Sequence, residues 1–79
     1  MNGIIEGKMT VKYYVLFNIQ TNKVQGVDWA SGEYLYDASY IGDWKWFSTA
    51  DEALKTRDKF ISMETYENLR LREVSVSVD

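Results

Sequence analysis

Three aspartates and one run of rings hold the residue types that could do chemistry in this chain of 79 residues. Asp28, Asp37 and Asp43 would be the acid and base of a glycosidase-type hydrolysis if two of them faced each other across a cleft. Trp44 and Trp46, two residues apart on an extended segment, would project to one side and offer a surface for stacking or anchoring. Against the catalytic option stands the absence of both histidine and cysteine. That removes the commonest general base, the commonest thiol nucleophile, disulfides and the zinc patterns built on these residues. No G-x-S-x-G, P-loop, G-x-G-x-x-G or EF-hand loop occurs, and the glycines are scattered. The aspartates fall near predicted strand ends, where this residue ordinarily serves turns. An enzyme is therefore not expected, nor is a cofactor or a metal.

The rings carry more information. Trp44 and Trp46 share one side of their segment with Tyr40, while Lys45 and Phe47 take the other; Trp29, Tyr34 and Tyr36 fall on neighbouring predicted strands. These six, Trp29, Tyr34, Tyr36, Tyr40, Trp44 and Trp46, are the candidate partner-binding residues. If the tryptophans point away from the helix predicted just after them, the uncovered sheet face is an aromatic platform. If they point toward it, they form the core against Ala50, Ala53 and Leu54. A chain this short buries only somewhat over 60% of its unfolded surface and must place its largest rings somewhere, which favours the core. As a platform, the face would suit a protein partner better than unpaired bases, because the lysines and arginines do not cluster with the rings.

The elements that position these residues are legible from periodicity. Thr10 to Ile19 alternates strictly: Val11, Tyr13, Val15, Phe17 and Ile19 lie on one side, and Lys12, Tyr14, Leu16 and Asn18 on the other. The first side is wholly apolar and is expected to face the core; the half-apolar second side marks a central strand. A turn at 20–23 includes Asn22, which tolerates a left-handed backbone. Lys23 to Ala30 reads as the hairpin partner, with a bulge at Gly26. Tyr34 to Asp37 and Tyr40 to Phe47 read as further strands, the latter with a bend at Gly42. Thr49 and Glu52 form a capping box opening a helix to about Ser62. Its apolar side carries Ala50, Ala53, Leu54, Phe60 and Ile61, interrupted by Arg57, whose stem is expected to snorkel, with a buried pair to a carboxylate as the alternative. Leu69 to Val78 is the last strand. Its apolar parity changes from Leu69 and Leu71 to Val74, Val76 and Val78, which predicts a bulge near Glu73. Arg70 and Arg72 are expected to blunt a sheet edge. The fold expected is α+β: an antiparallel sheet of four to five strands with one helix on one face, in the order β-β-β-β-α-β. Residues 1–8 are read as a tail or edge segment and 9–79 as the single domain.

The net charge of −3 comes from 12 acidic and 9 basic residues mixed along the chain. No basic block offers a surface for duplex nucleic acid, and no apolar run is long enough for a bilayer. The absence of cysteine and of a signal segment favours the cytoplasm. The stretch Trp46-Phe47-Ser48-Thr49-Ala50-Asp51-Glu52-Ala53-Leu54 resembles the F-x-T-x-x-E-A junction of small bacterial and phage domains. With the absence of proline, cysteine and histidine and the aromatic-rich strands, the chain resembles small accessory proteins of phages and prophages of low-GC Gram-positive bacteria. That resemblance implies a non-enzymatic protein of a bacterial host's cytoplasm that binds and modulates a host or phage protein; the partner would meet an open sheet face or an exposed edge strand, and a second copy of the chain is a further candidate. A single-stranded nucleic-acid binder using the strand aromatics is the alternative.

Overall fold

The alternating run at the start of the chain forms a ten-residue strand, β1, over Met9–Asn18. A computed structural model describes residues 9–28, 34–59 and 67–78. The turn after β1 is closed locally. The Asn18 side-chain oxygen accepts from the Gln20 and Thr21 backbone N–H groups at 2.9 and 3.2 Å. Asn22 takes the left-handed φ of 62° that asparagine tolerates better than most residues. The chain then returns as β2 (Lys23–Asp28) and β3 (Tyr34–Asp37). After a 3-10 turn at Ile41–Asp43 come helix α1 (Ala50–Lys59) and β4 (Leu69–Val78). The sheet is antiparallel, in the order β3-β2-β1-β4, with β1 interior as its wholly apolar and half-apolar sides suggest.

Pairing is uneven. β1 and β4 run together without a break, from Met9 opposite Val78 to Asn18 opposite Leu69. β1 and β2 pair only at Phe17–Val24 and Asn18–Lys23, then splay. The extended residues before α1 fill the gap. Tyr14 and Phe47 exchange both backbone hydrogen bonds at 2.9 Å, and the Lys45 N–H donates to the Gln25 carbonyl at 3.0 Å. Trp44 to Phe47 thus wedges between two strands of the sheet. The fourth strand expected over Tyr40–Phe47 is instead this wedge, preceded by the 3-10 turn. Among the described residues the wedge's one bridge to the sheet is Tyr14–Phe47, too short to make a ladder.

Residues paired across antiparallel strands share a face, so the register assigns the faces. Leu16, Phe47 and Ala53 form a buried cluster with Tyr14, Leu35 and Leu71 against it. α1 therefore covers the side of β1 carrying Tyr14 and Leu16, opposite to expectation. The wholly apolar side, Val11 to Phe17, lies on the face away from α1. The reason is that β1 is covered on both sides at its middle: Leu16 and Val15, neighbours on opposite faces, are 0% and 2% exposed.

Neither expected bulge forms. Glu73 pairs with Tyr14 in unbroken register. The parity change in β4 reflects which face is apolar at each end of the strand, the helix face at Leu69 and Leu71 and the other face from Val74 onward. At Gly26 the register with β3 is likewise continuous. The glycine is needed for space: a Cβ there would stand 2.5 Å from the Asp43 carbonyl oxygen and 2.6 Å from Cζ of Tyr36.

The helix starts where the capping box places it, with the Glu52 N–H donating to Thr49 Oγ1 at 3.1 Å. Ala53 is fully buried, and Ala50 and Leu54 are half-buried. Arg57 is mostly covered, its side chain 22% exposed and its Nε 4.0 Å from Asp58 Oδ1. The expected continuation of α1 to Ser62 and of β2 to Ala30, and the segment 1–8, lie outside the described residues.

Candidate interaction face

The face opposite α1 gathers most of the rings among the described residues. Val24 pairs with Phe17, and Gly26 and Asp28 pair with Tyr36 and Tyr34, so Phe17, Tyr34 and Tyr36 stand on this side. The wedge obeys the same alternation. Phe47 points into the helix-side core with Lys45 Nζ 5.5 Å from its ring centre, while Trp46 points the other way and meets Tyr13 edge-on at 5.6 Å. Trp44 lies against Trp46 at 5.3 Å between ring centres. The two tryptophans are half-buried by each other and by Tyr13, outside the helix-side core that size alone favours.

Of the six candidate residues, Trp44 and Trp46 come together, with Tyr13 as a third ring. Tyr36 lies across Gly26, with Asp43, Asp28 and Tyr40 close enough to act on it electrostatically. Loss of hydration, and secondarily those negative neighbours, raise its hydroxyl above the ordinary tyrosine value of 10.0. Tyr34 donates to Asp28 Oδ2 at 2.7 Å. Tyr40 is exposed, its ring folded back over Gly42. Trp29 lies outside the described residues.

The residues missed from sequence are Ile41 and Val76. With Tyr13 and Trp46 they line a groove of about 460 Å³. Ile41 is an exposed isoleucine at the start of the 3-10 turn, and nothing in the sequence sets it apart from other apolar residues. From the groove the apolar surface runs outward along the β1–β4 ribbon through Val11, opposite Val76, to Met9, opposite Val78. Met9 and Val78 are 59% and 42% exposed and Ile41 60%. Charge lies elsewhere on this ribbon: Lys12 pairs with Glu73 at 3.2 Å on the helix side of the sheet.

At its inner end the face is bounded by Arg70 and Arg72. The Arg72 guanidinium lies 5.5 Å from the Phe17 ring centre. Each arginine also donates to the carbonyl of the residue before it, Leu69 at 3.1 Å and Leu71 at 3.3 Å, and Arg70 reaches the Glu67 carbonyl. Leu69 and Leu71 pair with Asn18 and Leu16, whose parity in β1 directs their backbone groups away from β4, so these carbonyls point to the outer edge. The arginines therefore cap that edge over its first half.

The aspartates divide between the two faces, with Asp28 and Asp43 both near Tyr36. Asp37 lies on the helix side opposite Gln25, accepting from Gln25 Nε2 at 2.7 Å and Thr21 Oγ1 at 3.0 Å. Asp28 is on the other face with Tyr34. Among the described residues no three carboxylates converge to hold a metal ion, and no helix is long and apolar enough to cross a membrane. Fold and face together define a small α+β sheet protein with one helix-covered face and one largely apolar face that is open along the outer β1–β4 ribbon. Comparison with known protein families, curated proteins and solved structures finds no match.

Proposed function

We propose that this chain is a non-enzymatic interaction module that binds and modulates another protein, of phage or host, through the sheet face opposite α1. Its place of work in this reading is the cytoplasm of a bacterial host. The observation that supports it is the continuous apolar surface from Trp46, Tyr13 and Ile41 out along the ribbon to Met9 and Val78. Surfaces of this kind, aromatic at the centre and free of charge, are where protein partners anchor. Affinity capture would compare the wild type with Ile41→Lys, in the groove, and Lys55→Ala, on the exposed side of α1. A protein retained by wild type and Lys55→Ala but lost with Ile41→Lys supports the reading; proteins retained equally by all three count against it.

Single-stranded nucleic acid is the second reading, favoured by one observation: Arg72 sits over Phe17 on the aromatic face. Its weakness is that Arg70 and Arg72 already donate to edge carbonyls. Oligonucleotide titration would quench tryptophan emission, with affinity falling as salt rises, if this reading held.

A further inference from the structure

We infer that the partner on this face is a second copy of the chain, stacked ribbon on ribbon about a two-fold axis, with each copy's Met9 in the other's groove. The inference rests on the reading that the open face binds protein and names the occupant. It starts from the ribbon, Met9–Tyr13 against Val74–Val78. β2 reaches only Phe17 and Asn18, and the wedge pairs only with Tyr14, so among the described residues no third strand pairs with Met9–Tyr13. Two strands alone are marginal in water and need a further layer. On the aromatic side that ribbon presents Met9, Val11, Tyr13, Val74, Val76 and Val78, all uncharged. A two-fold interface must complement itself. An apolar, uncharged patch does so, whereas the rest of a chain of net charge −3 would repel its copy.

The positions of knob and socket favour the same occupant. Met9 is four residues along β1 from Tyr13, about 13 Å at strand rise. Two ribbons stacked face to face with the axis through the Val11–Val76 pair bring residue 9 of one copy over residue 13 of the other. The most exposed apolar side chain of the ribbon tip then meets the groove of Tyr13, Ile41, Trp46 and Val76, and the symmetry makes the contact twice. An unbranched thioether fits an irregular aromatic-walled groove well. Met9, Val11, Val76, Val78, Ile41 and Trp46 would together cover on the order of 400 Å² per copy, below the usual size of a stable interface and in the range of weak, transient ones. The dimer should accordingly be weak and form only as concentration rises.

Sedimentation velocity of the full chain over roughly 5–500 µM tests this, with tryptophan emission read on the same samples. The expected result is a reversible monomer–dimer equilibrium with a blue shift on association. Met9→Glu, at an exposed position, should weaken the dimer by about tenfold or more while leaving the far-UV spectrum unchanged; Ser77→Pro, at the outer edge of β4, should not weaken it. Three results would overturn the inference: a monomer throughout, a dimer indifferent to Met9→Glu, or a dimer lost with Ser77→Pro but kept with Met9→Glu, which would be edge pairing. A monomer whose capture experiment still depended on Ile41 would remove the second copy and leave the interaction reading standing.

Discussion

Gly26 and Tyr36 show how tightly single residues are constrained on the aromatic face. A methyl group at Gly26 would collide with the Asp43 backbone carbonyl as well as with the Tyr36 ring, and a backbone carbonyl yields less readily than a side-chain end. Gly26→Ala should cost about 1–3 kcal/mol, read as a lower urea midpoint with an unchanged slope. Tyr36 gives a pH prediction with a definite sign. Its folded-state pKa is raised, first by lost hydration and then by Asp43, Asp28 and Tyr40. The unfolded chain would release this proton at the ordinary pH of about 10 while the folded chain still holds it. The contribution is whole below pH 10 and is lost as pH rises through the folded value. Alkaline titration at the tyrosinate absorbance should show Tyr36 ionising late, and Tyr36→Phe should remove that late step. An unchanged titration in the variant would refute the assignment.

At the scale of elements, local signals were legible and face assignment was not. The boundaries of β3 and β4 and the cap of α1 follow from turn residues, alternation and the Thr49–Glu52 spacing, because each is fixed by chemistry within a few residues. The Thr49 cap is worth about 1 kcal/mol: Thr49→Ala should lower thermal stability by several degrees, and Thr49→Ser should restore most of it. An equal loss in both variants would mean that the hydroxyl is not what matters. Which side of β1 faces α1 could not be read from β1 itself, because Val15 and Leu16 are both buried and alternation assumes one covered side. Likewise the change of parity in β4 imitates a bulge when read alone, and only the pairing with β1 shows that the strand is straight and its apolar side changes along its length. The wedge of Trp44 to Phe47 was misread as a full strand because its alternation is real but lasts only four residues. The tryptophan pair and its shared side were legible from that alternation; Ile41 and Val76 were not, since the turn and the strand that bring them to the groove are joined only in the fold.

For the molecule as a whole, the two sides of the sheet should respond differently to truncation. On the helix side Leu16, Ala53 and Leu69 are fully buried, so a cavity there cannot be filled by water or by easy collapse. Leu16→Ala should cost about 2–5 kcal/mol, a large part of what a domain of this size possesses. On the aromatic side Ile41 is 60% exposed, and Ile41→Ala should stay within about 0.5 kcal/mol when measured at low micromolar protein, where association makes no contribution. Urea unfolding of the two variants beside the wild type decides the matter. Similar large losses in both would mean that the aromatic side is a second core, and the case for an open binding face would fall with it. A large loss for Leu16→Ala alone would leave the groove residues free of a folding role, so that their apolar exposure requires another explanation, which binding supplies.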